Sequence, residues 1–330
     1  MCEWCSFAGM DMVRSMGEVE TVSGRIDAAD LGRTLGHEHL RSSSETVRFN
    51  FPHLYDEAEE EQIAVEAVQR AMSHGVKTIV DPACMDLSRD VGLAQRVVEK
   101  TGIQLVMCTG IYGSHYTFIP HYFENREPQA MVDAFVHDIE QGIQGSDVKA
   151  AFLKCAVDEP GITEHVDKVL RACAEASKQT GRPIMAHSHP ATRRGLEIMD
   201  VFDEEGIDPS MVQIAHTGDT DDLDYIEKLL ARGPFIGMDR YGLDIYLPTA
   251  QRNATVVALV ERGHADRMTL SHDACATIDW FPREMIGQMV PDWHMGFIFE
   301  SVLPALHEAG VTEEQTEAML GDNVHRWLIP

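Results

Sequence analysis

The chain predicts a single (β/α)8 barrel, on three observations. Its 330 residues suit one large α/β barrel domain. Short β-branched or apolar runs alternate with longer amphipathic stretches through the chain. Glycines 75, 102, 181, 206, 233 and 263 stand just beyond the amphipathic stretches, where a helix end favours a residue without Cβ.

In order, 31–40 reads as the first strand and 57–74 as the helix that follows it. The pairs 76–81 with 88–101, 103–110 with 129–141, and 148–155 with 162–180 continue the alternation. So do 183–187 with 192–205, 212–216 with 221–231, and 235–239 with 249–262. The run 268–273 is the eighth strand, and helices at 295–309 and 313–320 would pack on the barrel wall. A doubly wound open sheet is the alternative, but no glycine-rich dinucleotide turn follows the first strand. Residues 1–20 read as an N-terminal tail and 21–330 as the barrel domain. Within the tail, Cys2 and Cys5 have the spacing of half a zinc site, and no second pair follows to complete about four ligands.

Composition excludes several classes. The hydrophobic fraction is 44%, yet no apolar run approaches the roughly 20 residues of a membrane helix. Glu3, Asp11, Arg14 and Glu18 interrupt any signal-peptide core, which points to the cytoplasm. Seven cysteines, an odd number lying mostly inside apolar segments, read as reduced packed thiols. A formal charge of −27 repels nucleic acid and anionic membrane surfaces.

The chemistry gathers at strand ends. Side chains two apart on a strand share a face, so His37 and His39 can grip one ion from inside the barrel while Glu38 points away. Lys154, His187, His216 and Asp273 close the fourth, fifth, sixth and eighth strands, and barrel strand ends converge on one mouth. Spacing leaves two choices open. His187-Ser188-His189 offers either histidine, with Pro190 favouring His187, and alternation sends His272 outward if Asp273 faces inward. Lys154 has two readings. An ammonium beside two cations would be repelled, so it belongs there only in another form, and a neutral amine can add carbon dioxide to become a carbamate. Otherwise its stem lines the wall and its head reaches solvent.

Gly32-Arg33-Thr34-Leu35-Gly36-His37-Glu38-His39 resembles the first signature of the phosphotriesterase family of metal-dependent amidohydrolases. Phe152-Leu153-Lys154, Ala186-His187-Ser188-His189, Ala215-His216-Thr217-Gly218-Asp219-Thr220 and Ile236-Gly237-Met238-Asp239-Arg240 continue the likeness in order, over about residues 20 to 328. Arg33 departs from it, standing where an apolar residue is common, several residues before the ligands. The resemblance implies two divalent ions: His37, His39 and Asp273 on the buried one, His187 rather than His189 with His216 on the exposed one, and a carboxylated Lys154 between them. Zinc, cobalt, manganese and iron all suit such ligands.

Within the family, Asp239-Arg240-Tyr241-Gly242-Leu243-Asp244, the segment Ser271 through Trp280, and Thr109-Gly110-Ile111-Tyr112 are most similar to the phosphotriesterase-like lactonases. That likeness implies a homodimer that opens N-acyl-homoserine lactones and other aliphatic lactones, the quorum-quenching reaction. A hydroxide shared by the two ions would attack the carbonyl, with Asp273 shuttling the proton and Tyr112 polarising the carbonyl oxygen. Arg240 would orient a carbonyl or amide, the rival role being a salt bridge to Asp244. Tyr241, Leu243, Ile245, Tyr246, Cys275, Ile278, Trp280 and Phe281 would form an apolar channel for the acyl chain. The stretch 113–118 is less similar to that group than the segments around it. The rival functions are an organophosphate triesterase and a metal-holding binding protein without catalysis.

Overall fold

The computed structural model describes residues 17–113 and 119–329. Cys2, Cys5 and most of the 113–118 stretch therefore lie outside the described residues. Twelve strands occur among them: β1 (Glu18–Thr21), β2 (Gly24–Asp27), β3 (Thr34–Leu35), β4 (His39–Ser42), β5 (Thr78–Asp81), β6 (Gln104–Gly110), β7 (Phe152–Val157), β8 (Ile184–Ser188), β9 (Val212–Ala215), β10 (Phe235–Met238), β11 (Met268–Leu270) and β12 (Cys275–Ile278). An eight-stranded parallel sheet runs in the order β3, β5, β6, β7, β8, β9, β10, β11, with helices between successive strands. This is the (β/α)8 barrel, its strands in sequence order as right-handed crossovers require.

Strand alternation sorts the core into two layers. Leu105, Met107, Leu153, Ile184, Ala186 and Ile214 face the helices. Val106, Cys108, Phe152, Met185, Ala215 and Phe235 fill the barrel interior. The parity that turns Phe152 and Met185 inward also turns Lys154 and His187 inward, one step nearer the mouth. All six predicted helix-end glycines have positive φ, from 69° to 101°. The helices start a little later than periodicity suggests: Val91–Thr101 follows a cap by Asp90, and Glu164–Thr180 a cap by Thr163. The predicted 295–309 helix is a π turn at Ile298–Val302 leading into Leu303–Glu308, whose second residue is Pro304, a residue without the N–H that a helix interior requires.

Two boundaries move. Glu18–Thr21 is already strand, paired antiparallel with Gly24–Asp27, so the barrel domain does not begin at residue 21. This hairpin buries Val19 beside Phe152 and Trp327, and Val22 N–H donates to the Leu105 carbonyl. The first strand is also split. β3 ends at Leu35, and β4 leaves the barrel ladder to pair with β12. Gly36, His37 and Glu38 lie between them, where ladder bonds give way to the site contacts described below. Arg33 pairs with Glu317 and donates to the His74 carbonyl, at the opposite end of β3 from the histidines.

Gly110 shows how tightly the sheet is built beneath the mouth. It pairs with Lys154 across β6 and β7 at φ 138°, and a Cβ there would stand 1.9 Å from the Lys154 carbonyl oxygen. Gly110→Ala is expected to destabilise the fold by about 3 kcal/mol or more, because backbone must move rather than a side-chain tip. The midpoint of urea unfolding measures this, and a midpoint equal to the parent's would contradict the contact. No helix among the described residues is long and apolar enough to cross a membrane.

Candidate metal centre

The two histidines of the first signature follow the end of β3, and both are buried. Their Nε2 atoms each lie 3.2 Å from Asp273 Oδ1. Asp273 follows β11 in a left-handed conformation, φ 52°, and its N–H donates to the His37 carbonyl. The ligand atoms of His37, His39 and Asp273 gather within 4.8 Å of one another, close enough to share one ion.

His37, His216 and Asp239 form a second such group. Asp239 is better understood as the residue that aims the imidazoles. Its Oδ2 accepts from His37 Nδ1 at 3.0 Å, and its Oδ1 accepts from both Nδ1 and the backbone N–H of His216, at 3.0 and 2.8 Å. Both oxygens are thus occupied on the Nδ1 side, which leaves the opposite nitrogen of each ring for an ion. Asp81 Oδ1 lies 3.3 Å from His39 Nδ1, attracting it but off the hydrogen-bond direction. Reading the signatures alone did not separate this orienting role of Asp239 from its neighbours. A second carboxylate two residues after Gly237, on the strand next to His216, was the available signal.

The remaining rings close around the same point. Ring centres are 4.9 Å apart for His37 and His216 and 4.6 Å for His187 and His216. His216, like Asp273, has a left-handed backbone, φ 63°. His189 is not part of the cluster: its Nδ1 meets Thr192 Oγ1 at 2.8 Å in the turn after β8, which ends at Ser188. His272 faces away, as alternation requires, with Nδ1 2.6 Å from Glu38 Oε1.

Burial sets the electrostatics. It pushes His216 down to about 4 and His187 well below the usual imidazole range, which keeps both neutral, the form that binds metal. Burial also works against a charged His39, but its close contacts with the Asp273 and Asp81 carboxylates lift it to about 9. For Asp239 and Asp273 burial would raise the carboxyls, and nearby histidines, with Arg240 beside Asp273, hold both well below the usual carboxylate range. Burial lowers the Lys154 amine, and Nζ makes no hydrogen bond or ion pair among the described residues. Two neutral imidazoles, the Asp273 carboxylate and a buried amine whose charged form is disfavoured are compatible with bound divalent cations.

Tyr112 sits over this cluster, its hydroxyl 3.4 Å from His187 Nδ1 and its ring edge-on to that imidazole. Burial raises the phenol, so it stays protonated and can donate. Asp86, not singled out by sequence, anchors the tyrosine by accepting from the N–H groups of Tyr112 and Gly113, each at 2.8 Å. Arg240 does not bridge to Asp244. Its Nε donates to Asp273 Oδ2 at 2.8 Å and its Nη1 to Asp219 Oδ2 at 3.0 Å, while Asp244 caps Thr249.

Above the ligands lies a cleft of about 880 Å³, open mouth included. Leu243, Ile245, Tyr246, Cys275, Ile278, Trp280 and Phe281 line it, as expected. Tyr241 does not. It is fully buried in the core beneath Arg252, on the other parity from Arg240, and its channel role is withdrawn. Sequence reading missed Ile286, Met289, Val290 and Trp293, which reach the cleft from the segment after β12.

The profile of the Phosphotriesterase family matches residues 17–328. The aryldialkylphosphatase of Saccharolobus solfataricus is 49% identical over 305 residues, 92% of this chain and 96% of that protein. The phosphotriesterase homology protein of Mycobacterium tuberculosis is 44% identical over 319 residues, 94% of this chain and 97% of that protein. A solved structure of the phosphotriesterase from Mycobacterium tuberculosis superposes with a TM-score of 0.91 at 43% identity, covering 94% of this chain and 98% of that one.

Proposed function

The chain belongs to the phosphotriesterase family of metal-dependent hydrolases, and on that premise we propose that it opens lactone rings, N-acyl-homoserine lactones foremost. The observation that supports this reading is the contrast within the cleft. Its floor is polar and ligand-bearing, its outer wall is built from Leu243, Ile245, Ile278, Trp280, Phe281 and Met289, and Arg240 is the charged wall residue outside the ligand set among the described residues. A small polar ring with an aliphatic tail matches that division.

His37, His39 and Asp273 would hold one divalent ion, His187 and His216 the other, with Lys154 as a carbamate between them. When bound, the ions supply Lewis acidity and make hydroxide available from water at neutral pH. Zinc is our assignment for both, since nitrogen and carboxylate ligands suit it, with cobalt, manganese or iron as substitutes. Asp273 takes the proton of the attacking water and delivers it to the ring oxygen as the acyl C–O bond breaks. Tyr112 donates its phenolic hydrogen to the carbonyl oxygen as negative charge grows there. Arg240, held by Asp219, presents its remaining N–H groups to the amide of the acyl chain. The exposed Phe49, Phe51 and Leu54 support the homodimer that the lactonase resemblance implies.

Lactones of graded acyl length test the substrate. Each methylene buried against the wall contributes about 0.8 kcal/mol, so kcat/KM is expected to rise about three- to fourfold per carbon until the cleft is full. The rival is an organophosphate triesterase, supported by the name of the Saccharolobus relative. A higher kcat/KM on an aryl dialkyl phosphate than on every lactone would replace our reading with that one. No proton release from any lactone by metal-loaded protein would revive a binding role instead. Tyr112→Phe is expected to lower kcat about 10-fold, the worth of one hydrogen bond gained in the transition state, with metal content unchanged. Unaltered steady-state kinetics would remove Tyr112 from the reaction.

A further inference from the structure

The barrel ladder runs from β3 round to β11 without a regular pairing between those two strands. At the mouth this seam is closed by other means. The Asp273 N–H donates to the His37 carbonyl at 3.0 Å and the His39 N–H to the Ala274 carbonyl at 2.8 Å. Between those bonds lies the Glu38 side chain, fully buried and turned away from the ligand cluster. Its Oε1 accepts from Ser271 Oγ, the His272 N–H and His272 Nδ1, at 2.8, 2.9 and 2.6 Å. Its Oε2 accepts from the Ala274 N–H at 2.9 Å. Ser271 Oγ in turn accepts from the His37 N–H at 3.0 Å.

Every contact of this carboxylate is to a residue within two positions of Asp273. The hydrogen on His272 is assigned to Nδ1, because its Nε2 accepts from the Ile298 N–H at 3.0 Å. That bond fixes the ring, and so the direction from which it meets Glu38. Asp273 meanwhile occupies a left-handed backbone that a non-glycine residue adopts only when its surroundings enforce it. The donors on both sides of it, His272 N–H and Ala274 N–H, converge on one side chain.

We propose that Glu38 is a positioning residue for the metal centre: its carboxylate clasps residues 271 to 274 across the barrel seam and holds Asp273 aimed at His37 and His39. The inference rests on the metal role of His37, His39 and Asp273 and is independent of the substrate. Outer partners of this kind typically govern metal affinity or activity by about 10–100-fold.

The test is Glu38→Gln in the full-length protein loaded with zinc. The amide keeps the volume and one acceptor oxygen, but its NH2 must face a donor that the carboxylate satisfied. Zinc content is measured after dialysis against graded chelator, beside circular dichroism, kcat and KM. The expected result is a folded variant that loses one zinc per chain at about 10–100-fold lower chelator while retaining the second. Its kcat falls, KM stays, and excess zinc restores turnover. A folded variant with the parent's two-ion retention and kcat overturns the proposal. So does loss of both ions in parallel with a lowered melting temperature, the signature of a merely structural role. If Glu38→Gln does not fold, Ser271→Ala removes a single donor: selective weakening of one ion supports the clasp, and unchanged retention overturns it. A parent protein that binds no zinc sinks the metal reading itself, an outcome the parent's chelation curve reveals before any variant is made.

Discussion

Asp273→Ala is expected to abolish turnover while leaving the barrel folded. Two losses combine. The Asp273 carboxylate lies 3.2 Å from the Nε2 atoms of both His37 and His39, so the ion we assign to them would lose a ligand. It is also the group we propose to move the proton from water to leaving oxygen, a role worth about 10²–10⁴-fold by itself. kcat should therefore fall by at least about 10²-fold even with excess metal, and further without it.

The fold should survive because the bonds that seat residue 273 belong to backbone and to Glu38, not to the lost side chain. The N–H still meets the His37 carbonyl, and Arg240 keeps Asp219. The left-handed backbone disfavours alanine by about 1–2 kcal/mol, a cost a large barrel tolerates. His216→Ala is expected to behave alike through the other ion, with Asp239 left short of one imidazole. Turnover, zinc content and thermal unfolding measured on one preparation decide. Parental turnover in a variant that still holds two ions would refute the assignment.

Much of this site was legible because strand parity carries over distance. Strand-end placement brings His37, Lys154, His187 and His216 to one mouth, where they meet; the choice of His187 over His189 rests on the family likeness, and His216, one residue past inward-facing Ala215, reaches the site through its left-handed backbone. What alternation could not supply were relations between strands distant in the chain. Asp239 lies 202 residues from His37, and nothing in the spacing of either says that they share a hydrogen bond. The rival role for Arg240, a salt bridge to Asp244, rests on nearness in sequence, whereas the fold brings Asp219 and Asp273 to it. Tyr241 reads as one more aromatic of a rim loop, yet adjacent residues there face opposite ways, so Arg240 in the cleft puts Tyr241 in the core. The first strand reads as one run because Leu35 and Leu40 both suit a sheet. Its break at 36–38 arises from tertiary bonds to 271–274 that no local propensity contains.

Lys154→Met is expected to be the other variant without useful turnover, with the opposite effect on the metal-free protein. A buried amine without a hydrogen-bonded partner is costly, and burial already disfavours its charged form. Methionine is similar in length and carries no charge, so the metal-free variant should unfold at the parent's temperature or above it. Metal retention should fail, because a thioether offers neither the charge nor the two oxygens of a carbamate. We expect kcat/KM to fall by at least about 10²-fold, since activation of water depends on both ions.

The carbamate itself is testable apart from the variant. Carbon dioxide adds only to a neutral amine, the form that burial favours at Lys154. Metal-stripped parent protein should therefore regain activity faster when zinc is returned with bicarbonate than in carbon-dioxide-free buffer. Lys154→Ala leaves space in which a short carboxylate such as acetate can stand where the carbamate oxygens would lie, and millimolar acetate should restore part of its activity. Reconstitution indifferent to bicarbonate, together with no rescue by acetate, would return Lys154 to the role of a lysine that merely lines the wall. Parental metal content and turnover in Lys154→Met would remove it from the centre altogether.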